Sequence, residues 1–235
     1  LNVNDLAAAI NADPNSSSVV YATAADFTDS FEDKGYVLLG WVPVGWVHFF
    51  SQQPIRSIEG IRQSKAWIWE GDPLVEQVYN GLGVQPIPLS ITDVLLSLQT
   101  GMVNTVYAST QGALALQWFT KVKHMTRLRM GFATGGVLIS KKQFYKLSQS
   151  YQDTVRKIGA EFLPELVQLI QSDNKKAHKV LEKNGVNWVS LPDKKEMNRF
   201  REAGAVARKT LAGKYFSTEL LGQVLSGSPE LRDQI

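Results

Sequence analysis

The stretch from residue 65 to residue 109 alternates between strand-like and helix-like segments, and this alternation limits the folds open to the chain. Strand-like KAWIW, PIPL and NTVYAS occupy 65–69, 86–89 and 104–109. Two amphipathic segments, 72–83 and 90–101, lie between them and favour helices. Such alternation is typical of an α/β layer with parallel strand pairing.

Local signals mark the ends of these two helices. Asp72 precedes Pro73 as an N-cap, and Gly83 lies just beyond the predicted C-terminus. Ser90 is predicted to cap the second helix, with Asp93 close to a capping-box arrangement. The first helix and the second are therefore predicted with defined starts.

The rest of the chain extends this pattern. Helices are predicted over 4–12 and 19–35, and two strands, separated by Val42-Pro43-Val44, over 36–51. Mixed strands are predicted over 124–139, and the tail has a strand-like NWVSL segment followed by two helices. The region 148–184 has one long helical pattern, and a helix of about 35 residues would span about 50 Å, enough to tie two lobes together.

Composition excludes several classes of protein. No apolar run reaches the roughly 18 residues of a membrane-spanning helix. The absence of cysteine excludes disulfides, thiolate metal sites and cysteine nucleophiles. The net charge of +3 comes from dispersed residues, and the densest basic group, at 175–183, has the spacing of a solvated helix face, so we expect no nucleic-acid partner.

Catalytic and cofactor signatures are missing from the sequence. It contains no GxGxxG, GxxxxGK[ST], GxSxG or HExxH pattern. The histidines His48, His124 and His178 lie far apart in sequence. We therefore expect no catalytic residues, no metal site, no cofactor and no enzymatic activity.

Several sequence blocks carry a family resemblance. LGVQPIPL (82–89), LQTG (98–101) and ISKKQFYKL (139–147) occur in this order, with the long helical pattern after them. Together with KAWIW they resemble the DctP-type solute-binding proteins of TRAP transporters over about 36–235. The resemblance implies a periplasmic receptor that binds a small molecule and delivers it to TRAP membrane permease subunits, with an accessory periplasmic protein as a further candidate partner. Residues 1–18 show no signal-peptide pattern, so we expect a mature, trimmed or partial chain.

The resemblance also implies an architecture. It predicts an α/β, two-lobed periplasmic-binding-protein fold with hinge strands and a long helix spanning both lobes, in which the first lobe is incomplete. We expect the first lobe to comprise 1–44 and 134–173, and the second lobe 45–133 and 174–235. The hinge is then predicted near 44–46 and 133–135, with the ligand in the interlobe cleft.

The residues that bind the substrate in this family are replaced in this sequence. The family typically places an arginine in the strand that corresponds to KAWIW, where it pairs with the substrate carboxylate; the matching position is Trp67. A second, often basic position corresponds to Val47, an asparagine position to Ala108, and a family aspartate to Asn104. Since an indole offers about 150–250 Å² of apolar surface and no charge, we hypothesise a hydrophobic or amphipathic ligand.

Candidate ligand contacts follow from this hypothesis. Trp67 is predicted to form a pocket wall, with Val47, Phe49, Trp69 and Ala108 as companions and Trp46 and Trp118 as more distant candidates. The alternative is that these side chains are core, because both faces of a covered sheet are buried; core packing is favoured for Trp69, and both interpretations stay open for Val47 and Ala108. Two other functions also stay open: a protein-interaction module on the same fold, and an organic-acid receptor that uses a different basic residue.

Overall fold

The computed structural model describes residues 31–190, 193–219 and 221–222. The strands are β1 (Tyr36–Ser51), β2 (Trp67–Trp69), β3 (Ile87–Leu89), β4 (Thr105–Ala108), β5 (His124–Thr126), β6 (Gly131–Ser140) and β7 (Asn187–Val189). The helices are α1 (Ile58–Arg62), α2 (Pro73–Leu82), α3 (Val94–Thr100), α4 (Thr110–Ala115), α5 (Lys141–Phe144), α6 (Gln149–Lys183) and α7 (Lys194–Leu211), and a 3₁₀ turn covers Trp118–Thr120. The helix predicted over 4–12 and most of the one predicted over 19–35 lie outside the described residues.

The alternating region folds as predicted, with one corrected boundary. Asp72 caps α2 by accepting from the backbone N–H groups of Leu74 and Val75, and Gly83 ends the helix in the left-handed conformation at φ 69°. Ser90, in contrast, does not cap the next helix. Its hydroxyl donates to Asp93 Oδ2 at 3.0 Å, and α3 begins only at Val94.

The two strands predicted on either side of Val42-Pro43-Val44 form one 16-residue strand, β1. Irregularities in its pairing with β6 fall between Leu38 and Gly40 and between Pro43 and Gly45. A bulge tolerates a residue without a backbone N–H, which explains why Pro43 does not interrupt the strand.

The sheet is mixed. β1 lies between β4 and β5 and is antiparallel to both, and β7 pairs in parallel with β5. β2 and β3 pair in parallel, and a parallel bridge between Ala66 and Thr105 joins them to β4. All these strands except β1 therefore point in one direction. Beyond the sheet, residues 36–47 of β1 form a two-stranded ribbon with β6.

Helices cover both faces of this sheet. On one face, Phe50 of β1 belongs to a cluster with Trp67, Trp118 and Leu181 of the long helix α6. On the other face, Phe49 packs with Tyr79 and Ala203, from α2 and α7. None of the described helices is long and apolar enough to cross a bilayer.

Candidate ligand-binding site

The carboxyl ends of the similarly directed strands meet at one edge of the sheet. Chain segments leave this edge after Trp69, Leu89, Ala108, Thr126 and Val189. β1 enters the sheet at the same edge, since His48 pairs with Ala108. Ligands of open α/β sheets bind outside the carboxyl ends of the strands, so this edge is the candidate site.

Trp67, the predicted pocket wall, is 1% exposed. Its ring stacks on Tyr107 at 4.9 Å between centroids and meets Trp118 edge-to-face at 5.2 Å. The indole Nε1–H donates to the Leu89 carbonyl at 3.0 Å. The ring is thus enclosed by protein groups here, and its contact with a ligand stays a prediction.

Trp69 lies on the same strand but meets solvent, with 49% of its surface exposed. The expectation that Trp69 is core is therefore wrong. The strand ends at this residue, so its side chain projects beyond the packed layer at the candidate site.

A hydrogen-bonded brace holds the turn after Trp69. The Tyr107 hydroxyl donates to Asp72 Oδ2 at 2.9 Å and accepts from the Trp69 backbone N–H at 3.2 Å. Burial, together with the nearby Asp72 carboxylate, raises the pKa of Tyr107 well above its usual value, so the hydroxyl keeps its proton and the brace persists across physiological pH.

The other predicted contacts are divided between two faces of the sheet. Ala108 and Trp118 lie in or against the cluster that contains Trp67. Phe49 belongs to the cluster on the opposite face, so the structure does not bring it beside Trp67. Val47 is partly buried where β1 enters the candidate edge, and its carbonyl accepts from Met130 N–H at 2.9 Å.

Trp46 is accompanied by a cation that the sequence analysis did not identify. The Arg129 guanidinium lies 4.6 Å from the centroid of the Trp46 ring, and Phe132 meets that ring edge-to-face at 5.2 Å. The Trp46 indole Nε1 is buried without a hydrogen-bond partner. An arginine stacks on an indole through the planar face of its guanidinium.

A second arginine repeats this arrangement close by. Arg127 follows β5 at the candidate edge, and its guanidinium lies 5.3 Å from the Trp188 ring centroid. Arg127 and Arg129 are both exposed, whereas Leu128 between them is buried. The alternating RLR pattern after a predicted strand is the sequence signal that could have revealed them.

His48 is a buried histidine close to Arg129. His48 Nδ1 bonds the Thr126 carbonyl at 2.9 Å, and its ring meets Trp188 edge-to-face at 5.9 Å. Burial lowers the pKa of His48 to about 4, with smaller contributions from Arg129 and His178. The neutral imidazole is therefore a structural group of the sheet at neutral pH. Within the part of the chain that the structure describes, no group of three His, Cys, Asp or Glu side chains is placed to hold a metal ion.

Comparison with known proteins decides the family. The model of the bacterial extracellular solute-binding proteins of family 7, DctP, matches residues 15–214. The chain belongs to this family. DctP proteins are solute-binding receptors, so the expectation of a receptor rather than an enzyme is confirmed, and so is the two-lobed α/β fold class. A search among curated proteins finds no significant match.

Solved structures share the DctP fold at low sequence identity. A TRAP periplasmic solute-binding protein from Sulfitobacter sp. NAS-14.1, with bound beta-D-galacturonate, has a TM-score of 0.77 at 21% identity, over 95% of this chain and 70% of that one. DctP7 of Bordetella pertussis, a receptor binding pyroglutamic acid, has a TM-score of 0.78 at 15% identity, over 96% and 70%. A protein from Desulfovibrio salexigens with bound orotic acid has a TM-score of 0.77 at 19% identity, over 91% and 68%.

Proposed function

We propose that this DctP-family protein is the extracytoplasmic receptor of a TRAP-type secondary transporter, and that it binds an amphipathic monocarboxylate in an interlobe cleft and delivers it to the membrane permease. The family match supports the receptor class. The proposal takes 1–44 with 134–173 as first-lobe elements, 45–133 with 174–235 as the second lobe, and a hinge near 44–46 and 133–135.

The observation that carries the proposed ligand class is the composition of the candidate edge. The family resemblance leads us to expect polar, substrate-binding side chains at the positions of Trp67, Val47 and Ala108. Trp69 adds an indole that is about half exposed. An apolar ligand body gains roughly 25 cal/mol per Å² on such a surface.

The ligand's charge needs a counter-charge that these residues do not supply. Arg129, which stacks on Trp46, is an exposed residue at the same edge and is the counter-charge in this proposal. A charge-assisted bond to a carboxylate contributes about 1.5–3 kcal/mol. The acids bound by the three related structures make a carboxylate the natural headgroup, and Trp69 supports an apolar remainder.

Two measurements test this proposal. Native mass spectrometry of the protein purified from its periplasm is expected to show one bound small monocarboxylate with an apolar portion. Calorimetry with octanoate, 1-octanol and D-galacturonate is then expected to rank octanoate tightest. Arg129→Gln should weaken octanoate binding by about tenfold to a hundredfold, whereas Gln at the exposed Arg201 of α7 should leave it unchanged.

Two results would contradict this proposal. Galacturonate binding more tightly than octanoate would replace the proposed ligand by a polar organic acid. Equal binding of octanoate by Arg129→Gln and the parent protein would remove Arg129 from the site.

A second candidate function is favoured by the enclosure of Trp67. A site filled by its own side chains suits a protein-interaction module on the receptor fold. Such a module would co-purify with no small molecule and bind none of the three probes, while still forming a complex with a protein partner.

A further inference from the structure

The carboxamide of Asn174, about three-quarters of the way along the long helix, joins three elements. Its Nδ2 donates to the Val44 carbonyl of β1 at 2.9 Å and to the Ile170 carbonyl at 3.1 Å. Its Oδ1 accepts from the Thr110 hydroxyl at 3.0 Å and from the Gln111 backbone N–H at 3.3 Å. The first turn of α4, the long helix and β1 are thus held by one planar group.

The strand is shaped to admit this carboxamide. The β1–β6 register shifts between Pro43 and Gly45, and Gly45 has a φ of 127°. A Cβ built on Gly45 would lie 2.9 Å from Asn174 Nδ2. Both the backbone conformation and the close approach therefore require glycine at this position.

The contact lies a few residues before the point at which β1 exchanges β6 for β4. β1 pairs with β6 on both sides of the bulge, as far as Val47, and from His48 it pairs with β4 in the main sheet. Rotation between a body that contains the start of the ribbon and a body that contains the sheet is most easily absorbed at this bulge, because the register with β6 is interrupted there and Gly45 has a positive φ.

We propose that Asn174 is the hinge pin of this receptor: by tying the Val44–Gly45 bulge to the start of α4, it fixes the angle between the two lobes. This inference rests on the proposed function only in taking the chain as two lobes that move. Loss of the Val44 bond frees the bulge and lets the ligand-free protein populate a second interlobe angle.

The chain contains no cysteine, so two introduced ones can be labelled without further changes. Nitroxides at Lys142→Cys and Glu76→Cys, both exposed, report the distance between the proposed lobes by pulsed electron resonance. Asn174→Asp keeps an oxygen facing Thr110 and removes the donor to Val44. We expect this variant, without ligand, to populate a second distance at least about fivefold more than the parent protein does.

Asn184→Asp is the matched control, since the Asn184 carboxamide, at the end of the same helix, donates at 2.8 Å to the Val180 carbonyl of its own helix. It should leave the distance distribution unchanged. Identical distributions for Asn174→Asp and the parent protein overturn the inference. Asn174→Ala, which removes the donor to Val44 without introducing a charge, gives the same decision if Asn174→Asp does not fold.

The distance measurement needs no ligand, so the proposal for Asn174 and the proposed function can be refuted independently of each other. A protein that shows the expected shift but binds no solute keeps the hinge pin and loses the proposed function. A protein that binds octanoate through Arg129 but shows no shift keeps the function and loses the hinge pin.

Discussion

Trp67 and Trp69 project from the same short strand, yet they have different surroundings. Trp67 is held between Tyr107 and Trp118 with its indole N–H bonded, whereas Trp69 stands where the strand leaves the sheet. Strand alternation places both side chains on one face. Their burial is decided by the helices and loops above them, which are distant in sequence.

Alanine substitution of these two residues should therefore have unequal effects. Trp67→Ala is expected to lower the free energy of unfolding by about 3–5 kcal/mol, because it leaves a large cavity in a closed cluster. Trp69→Ala should change it by less than about 1 kcal/mol. Urea denaturation of both variants checks this, and a Trp67→Ala variant as stable as Trp69→Ala would show that the ring is not packed as described.

His48 predicts a specific acid sensitivity. Its pKa falls from 6.5 in the unfolded chain to about 4 in the folded protein, so between these values the unfolded state binds more protons. The stabilisation is complete above pH 6.5 and is lost as the pH falls toward 4. At pH 5 the loss amounts to about 2 kcal/mol relative to pH 7.

His48→Gln removes this titration and serves as the comparison. The stability difference between the parent protein and His48→Gln should shrink by about 2 kcal/mol from pH 7 to pH 5, measured by urea denaturation at both pH values. A constant difference would mean that His48 does not titrate as its burial requires.

At the scale of elements, α2 and α7 approach closely through glycine. A Cβ on Gly81 of α2 would lie 2.9 Å from the Ala203 backbone carbonyl of α7. A Cβ on Gly204 of α7 would instead meet the Arg208 side chain at 3.4 Å, and a flexible side chain can move aside.

Substitution of these two glycines by alanine should have effects of opposite sign. Gly204→Ala is expected to stabilise by up to about 1 kcal/mol through helix propensity. Gly81→Ala is expected to destabilise by about 1–3 kcal/mol, because two backbones must separate. Thermal unfolding of both variants tests these two expectations. A higher melting temperature for Gly81→Ala than for the parent protein would contradict the close contact.

Elements with local end signals could be predicted from the sequence, and elements defined by distant pairing could not. The Asp72 cap and the Gly83 stop act within one helical turn, so α2 was predicted with its boundaries. The continuity of β1 through Pro43 depends on a bulge against β6, far along the chain. The stacking of Arg129 on Trp46 depends on the same pairing, so this part of the candidate site was missed.

At the scale of the whole molecule, β1 belongs to two assemblies. Residues 48–51 pair with β4, and Phe50 and Ser51 also pair with β5 on the other side, while residues 36–47 pair with β6 in a ribbon. The long helix packs along it, with Gly159 close to Leu39 and Asn174 at Gly45. One strand thus links the regions assigned to the two proposed lobes.

Hydrogen exchange along β1 should differ between its two ends. Amides in 48–51, which pair with β4 and at Phe50 and Ser51 also with β5, are expected to exchange more slowly than amides in 38–44, which open with a two-stranded ribbon. Mass spectrometry of peptic peptides from the native protein measures both segments. Equal protection would indicate that the ribbon and the sheet open as one unit.

The pairing of β1 also has a consequence for biogenesis. This strand is synthesised before its partners, which follow in turn: Ala108 opposite His48, then Met125 opposite Phe50, and last Ile139 opposite Val37. Until then its apolar residues have no sheet to join, and such long-range contacts slow folding. During synthesis, β1 is therefore expected to complete its pairing only after residue 140 has been added.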